Sequence, residues 1–398
     1  MSLNTGVNYL AIPGPSVIPD AVLRAMHRAS PNIYEGELVD LTYNLIPRLK
    51  NVARTSGHVA IYICNGHGTW EASLANMANR GDRVLVASTG RFAHGWAQTA
   101  KSMGIDVDLI EFGNAAPVDP DQIETKLRGC AADHYRAVLL THVDTSSSVR
   151  NDVAAVRRAI DASGSSALLA VDCVASLGCD RFEMDAWGAD VMISASQKGL
   201  MVPAGVGFVY FNDRAAQRQK TLDYVSWYWD WAPRVKPELY YQLFCGTAPT
   251  HHLYGLDAAL GMIEAEGLEN VWHRHKVLAN AIWAAIDQWG TKGAMRMNIA
   301  DPALRSHAVT ALHLGAPDGL NLRRWTQDTA GLTLGIGLGM STPDDPKGDG
   351  FLRFGHMGHV NAQMIMGLLG TVQAGLCALE IPHGSGAVDA AAGIISRG

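Results

Sequence analysis

Residues 171–208 read VDCVASLGCDRFEMDAWGADVMISASQKGLMVPAGVGF. An apolar run over 167–171 ends in Asp172, a second apolar run covers 191–194, and Lys198 follows in Ser-Ala-Ser-Gln-Lys-Gly. A glycine-rich turn then leads into a third apolar run over 207–211. Short apolar runs bounded by turn residues predict buried strands. The same pattern continues upstream, with strands expected over 59–64, 83–88, 107–110 and 137–141. Helices are expected between them over 70–79, 92–103, 119–127 and 153–162. Strands alternating with helices predict an α/β fold, a mostly parallel sheet with helices on both faces. Asp172 then stands at the carboxyl end of a central strand, the edge where open α/β sheets bind ligands.

The sequence around Lys198 is mostly apolar or small and carries almost no other charge. A lysine there is either a solvated loop residue or a desolvated amine, whose neutral form is a nucleophile toward an aldehyde. Asp172 alone is as well suited to capping a helix. Beside a pyridinium nitrogen, a buried carboxylate would instead keep the ring protonated and able to accept electrons. Asn65-Gly-His-Gly-Thr69 falls between a strand and a helix, which suits either a phosphate cradle or a plain tight turn. It lacks the third glycine of a dinucleotide fingerprint and is not a Walker loop. Arg353, inside the apolar strand expected over 351–354, needs an anion, either a substrate carboxylate or a structural ion pair.

Composition narrows the function classes. With 48% hydrophobic and 18% charged residues over 398 positions, the chain can bury a large core. A net charge of −6 without basic clusters argues against a nucleic-acid partner. No apolar run reaches membrane-span length and no leader pattern opens the chain. Six scattered cysteines without a CxxC point to reduced thiols and a cytoplasmic protein. Neither His251–His252 nor His356 with His359 has the companions a metal needs, so no metal is expected. The aromatic segment over 224–241 reads as a packed surface loop, a subunit interface, or a wall of an active-site mouth.

The residues also resemble a family. Pro13-Gly-Pro-Ser16, Asn65-Gly-His-Gly68, Gly90-Arg-Phe92, Thr141-His142 with Thr145, and Val171-Asp-Cys-Val-Ala-Ser-Leu-Gly178 occur in order. Met184-Asp-Ala-Trp-Gly188, Ser196-Gln-Lys-Gly-Leu200, Thr247, Leu253-Tyr-Gly-Leu256 and Leu352-Arg-Phe-Gly355 complete the set. Over nearly its whole length the chain resembles the class V, fold type I aminotransferases that use pyridoxal 5'-phosphate (PLP). Within them it is similar to the alanine/serine–glyoxylate (serine–pyruvate) enzymes. The resemblance implies a large domain with a seven-stranded sheet and a smaller α+β domain.

It also implies that Lys198 bonds the cofactor aldehyde and later moves a proton between substrate α-carbon and cofactor. Asp172 would pair with the ring nitrogen and Phe92 stack on the ring. Gly66, His67 and Gln197 would hold the phosphate, and Thr145 would lie beside the ring. Thr247 would reach the cofactor phosphate of a neighbouring subunit, which implies a homodimer with shared sites. Arg353 would bind the substrate carboxylate, with Gly14 and Tyr34 lining the substrate side. Ser148, where relatives often carry glycine, and Phe244, where some carry tyrosine, depart from the pattern.

The expected layout is an N-terminal arm over 1–20, a PLP-binding unit over 21–255 and a C-terminal unit over 256–398. The Gly/Ala/Ser-rich tail from 383 is expected to be loosely held. The expected reaction moves an amino group from serine or alanine, or from aspartate, to glyoxylate or pyruvate. A lyase of the same fold, such as a cysteine desulfurase, would need a cysteine in the loop before Arg353, and residues 335–350 contain none. A non-catalytic PLP-sensing regulator would need a DNA-binding module and a basic face, and neither is evident.

Overall fold

The structure, a computed structural model, describes residues 3–398. Among the described residues, twelve strands form two sheets. In chain order they are β1 (Tyr9–Ala11), β2 (His58–Tyr62), β3 (Arg83–Ser88), β4 (Asp106–Glu111), β5 (Ala137–Thr141) and β6 (Leu168–Asp172). There follow β7 (Val191–Ala195), β8 (Gly207–Phe211), β9 (Arg296–Met297), β10 (Val309–His313), β11 (Leu332–Ile336) and β12 (Phe351–Gly355).

The larger sheet has seven strands in the order β2-β8-β7-β6-β5-β3-β4. All its pairings are parallel except those of β8, which runs antiparallel to both β2 and β7. Strands β5 to β8 are buried along their whole length because helices cover both faces. Side chains alternate across the pleat. Val138, Leu140, Leu169 and Val171 join one core with helices Glu37–Ala53, Pro120–Arg128 and Val153–Ser163. Ala137, Leu139, Leu168 and Ala170 join the other with helices Gly66–Ala75 and Arg91–Ser102. The register pairs Asp172 with Thr141 on one side and Ile193 on the other. This fixes the carboxylate at the C-terminal edge of the middle strand.

The smaller sheet has the order β1-β11-β12-β10-β9. Its first strand comes from the N-terminal arm, because Tyr9-Leu10-Ala11 pairs in parallel with Leu332–Leu334. Part of the arm expected over 1–20 is therefore a strand of this sheet. The expected division at 255/256 falls inside helix Thr250–Glu266, whose Leu253, Leu256, Leu260 and Ile263 lie in the larger sheet's core. The chain breaks instead at Gly267, where a φ of 83° suits glycine. Helix Leu268–Gly290 then buries Leu278, Ile282 and Ile286 against the smaller sheet. The tail is not loosely held. Ala387–Ile395 forms a helix with Ala387 and Ala391 buried in the same core, because small side chains allow close helix packing.

Asp180, fully buried, joins the loop after β6 to the approach to β10. Its carboxylate accepts Ser306 Oγ at 2.7 Å and His307 N at 2.9 Å, with His307 Nδ1 at 3.2 Å. Removing it strands these donors in a dry interior. Asp180→Ala is expected to lower the unfolding free energy by about 3 kcal/mol. Urea denaturation measures this, and a loss near zero would mean the junction does not depend on the carboxylate.

Candidate active site

Asp172 lies at the floor of a cavity of about 300 Å³ at the C-terminal edge of the larger sheet. One carboxylate oxygen accepts Val174 N at 2.8 Å and the other accepts Trp70 Nε1 at 2.7 Å. Burial pushes its pKa up to about 6, while these two donors pull it back toward the ionised form. At neutral pH it is a buried anion facing an open space, an arrangement that favours a cation there.

Lys198 stands across the same cavity. Its amine donates to Pro13 O. Burial, reinforced by the charge of Arg353, moves its pKa down from 10.5 to about 8, against the opposing pull of Asp172. The preceding strand β7 and the turn after it hold it in place. Met201 N bonds Lys198 O at 3.0 Å, and Ser196 Oγ bonds Pro203 O at 2.7 Å. The N-terminal arm closes over this turn, with Ser16 N on Gln197 O at 2.9 Å and Ser16 Oγ on Lys198 O at 2.7 Å. Gly14, with φ 104°, packs so tightly on the lysine that any Cβ there would collide with it. These contacts make Lys198 a desolvated pocket residue; the solvated-loop alternative does not hold.

The glycine segment is a helix start. Asn65 Oδ1 accepts His67 N at 3.1 Å and Gly68 N at 3.3 Å, so the helix begins at Gly66 and not near Trp70 as expected. An asparagine cap outweighs the poor helix propensity of the two glycines. The consequence is a helix N-terminus on the cavity wall, where an anion is favoured. Gln197 Oε1 is buried there without a partner.

The structure brings Gly14, Gly66, His67, Phe92, Thr145, Asp172, Gln197 and Lys198 together around one cavity. Arg353 flanks it. The guanidinium is buried, donates to Thr145 O at 3.0 Å and Ile336 O at 2.7 Å, and makes no ion pair with any described residue. No carboxylate of a described residue forms the structural ion pair within 4 Å, although buried Asp144 attracts the guanidinium from farther away. Burial pulls its pKa down to about 10, so it is still a cation at neutral pH. Tyr34, 86% exposed, and Thr247, also exposed, do not line the cavity of this chain.

The segment over 224–241 is pinned by buried Arg234, which donates to Ile61 O, Leu243 O and Tyr228 O. Trp231 stacks on Phe211 at 4.1 Å. Tyr224, Trp227 and Tyr241 remain exposed, and none of its aromatic residues lines the cavity.

Some functional neighbours escape sequence reading. Trp70 reaches Asp172 across 102 residues of sequence. Asp144, fully buried, accepts Phe92 N at 2.9 Å and Ala93 N at 3.3 Å, and so caps the helix that carries Phe92. An aspartate just after the strand ending at Thr141 is a signal for such a cap. Ser148 adopts φ 62°, the left-handed conformation that favours glycine. Its hydroxyl accepts Ala311 N at 3.2 Å, a bond to the smaller sheet that glycine could not make.

The residues fit PLP. A buried carboxylate suits its ring nitrogen, a desolvated amine its aldehyde, and a helix N-terminus its phosphate. Phe92 and Val174 give the cavity apolar surface that suits a planar ring. Fold and site together define a fold type I PLP enzyme. A family model, aminotransferase class-V, matches residues 65–320, and the chain belongs to that family. It is a PLP-dependent aminotransferase. The serine–glyoxylate aminotransferase of Methylorubrum extorquens is 35% identical over 96% of this chain and 94% of its own length. The L-aspartate–glyoxylate aminotransferase of Paracoccus denitrificans is 32% identical over 98% of this chain and 96% of its own length. Among solved structures, ureidoglycine–glyoxylate aminotransferase from Bacillus subtilis superposes with a TM-score of 0.87 over 100% of both chains, at 23% identity.

The lowered Lys198 pKa gives a direct test on the cofactor-free protein. Acylation of Lys198, followed by peptide mass spectrometry, is expected to reach half its maximal rate near pH 8. Because the Arg353 charge opposes protonation of the amine, Arg353→Gln is expected to move that midpoint upward. A midpoint near that of a free lysine, unmoved by the substitution, would show that neither burial nor Arg353 acts on the amine.

Proposed function

We propose that this enzyme transfers the amino group of a small L-amino acid, serine or alanine or else aspartate, to glyoxylate or pyruvate. The observation that carries the reading is Arg353, a buried guanidinium without an ion pair, whose charge bears on Lys198. A planar carboxylate is the anion such a group grips best, by two parallel bonds. The cavity is small, and PLP would fill much of it, which favours a small donor. The serine– and aspartate–glyoxylate aminotransferase relatives support the same choice.

PLP, when bound, supplies the electron sink that stabilises negative charge developing at the substrate α-carbon. Lys198 would hold the cofactor by its aldehyde, and its amine is placed to serve as the base and acid that moves the donor's α-proton. Its lowered pKa leaves a usable fraction of neutral amine near neutral pH. Asp172 would hold the ring nitrogen in its protonated form. His67, Gln197 and the helix start at Gly66 would hold the phosphate, with Phe92 and Thr145 placed to hold the ring. Arg353 orients the donor by its carboxylate, and the Pro13–Ser16 turn with Gly14 shields the amine from water. The lyase alternative lacks its thiol, since residues 335–350 contain no cysteine.

The working form we propose is a homodimer in the cytoplasm. Exposed Thr247 and Tyr34, with Tyr224, Trp227 and Tyr241 exposed nearby in sequence, suit a face completed by a second copy that brings Thr247 to its neighbour's phosphate. Six free cysteines suit a reducing compartment.

A donor panel of serine, alanine and aspartate against glyoxylate, pyruvate and oxaloacetate tests the reading. Activity is expected with a small donor and glyoxylate or pyruvate. Arg353→Ala is expected to raise the KM for the donor about 100-fold, with PLP affinity nearly unchanged. Equal losses of donor and PLP binding would remove Arg353 from the role of carboxylate anchor.

A further inference from the structure

A second cleft, of about 490 Å³, shares no lining residue with the cavity at Lys198. Its walls come from both halves of the molecule. Arg150 and Arg181 lie in the loops after β5 and β6, Trp272, Lys276 and Asn280 on helix Leu268–Gly290, and His307 just before β10. No carboxylate lines it among the described residues.

The charges there are only partly answered. Lys276 is exposed and makes no ion pair with a described residue. Arg150 Nη2 donates to Ala303 O at 2.8 Å, and its Nη1 stands 3.7 Å from Asp180, a carboxylate already bonded by Ser306 and His307. Arg181 is paired with Glu183 at 2.7 Å. The indole N–H of Trp272 is buried without an acceptor, and no side-chain bond occupies Asn280. Cations and N–H donors thus line a space with no carboxylate of its own. Two carboxylates, half-buried Glu183 and buried Asp180, partner these three cations from outside the lining, so the lining itself favours a ligand with more than one negative charge.

We propose that this cleft binds a small polyanion, a phosphate compound or a di- or tricarboxylate, that bridges the two halves of the subunit. The proposal does not depend on which amino donor the enzyme uses. Calorimetric titration of the PLP-loaded enzyme tests it, since loading keeps the cofactor's own phosphate cradle filled. Pyrophosphate and citrate serve as separate probes and distinguish the two sources of charge. At least one is expected to bind saturably with one site per chain. Lys276→Glu is expected to weaken that binding at least about tenfold. Lys220→Glu, an equal charge change on another exposed surface, is expected to leave it within about twofold. Absence of saturable binding for both probes, a smaller effect of Lys276→Glu, or equal weakening by the two substitutions would overturn the proposal.

Discussion

The burial of Asp172 and Lys198 in one cavity is the constraint on which the rest of the structure depends. Each group is displaced from its ordinary ionisation by loss of water, the carboxyl upward to about 6 and the amine downward to about 8. Such a pair is costly to hold unless its surroundings are rigid and its remaining bonds are met. Strand β6 supplies the rigidity for Asp172, since it sits between β5 and β7 and is buried along its length. Trp70 and Val174 supply the bonds. Lys198 gains its position from β7, from the turn that returns to β8, and from the arm folded across it.

That arm links the two sheets. Tyr9–Ala11 is a strand of the smaller sheet, and five residues later Ser16 bonds both Gln197 and Lys198. Arg353 reaches the same place from β12 and bonds Thr145 on the larger sheet's side. Ser148 and Asp180 tie the loops after β5 and β6 to β10 and its approach. The cavity therefore depends on contacts from both sheets, and a change in their relative position would be felt at the lysine.

Much of this was legible in the sequence where the signal is local. Strands β3, β5 and β8 begin and end where the sequence places them, and β5 and β8, buried along their whole length, are almost wholly apolar because both their faces are covered. Asp172 and Lys198 were legible because both interrupt or follow such runs. What was not legible depends on distant partners or on competition between local effects. The helix start at Gly66 pits two glycines against one asparagine cap. The Trp70–Asp172 bond, the antiparallel course of β8 and the arm's place in the smaller sheet are all set by tertiary pairing. The tail looked loose because alanine and glycine bury little area, yet those residues let a helix approach closely. Tyr34 and Thr247 lie away from this chain's cavity, and no pattern around them marks where they act.

The central claim is that Lys198 is the amine that holds PLP. Borohydride reduction of the loaded enzyme, followed by proteolysis and mass spectrometry of the peptides, tests it most directly. The mass of the reduced cofactor is predicted on the peptide containing Lys198 and on no other, and Lys198→Ala is predicted to carry none. Label on a different lysine, or undiminished label in Lys198→Ala, would contradict the account.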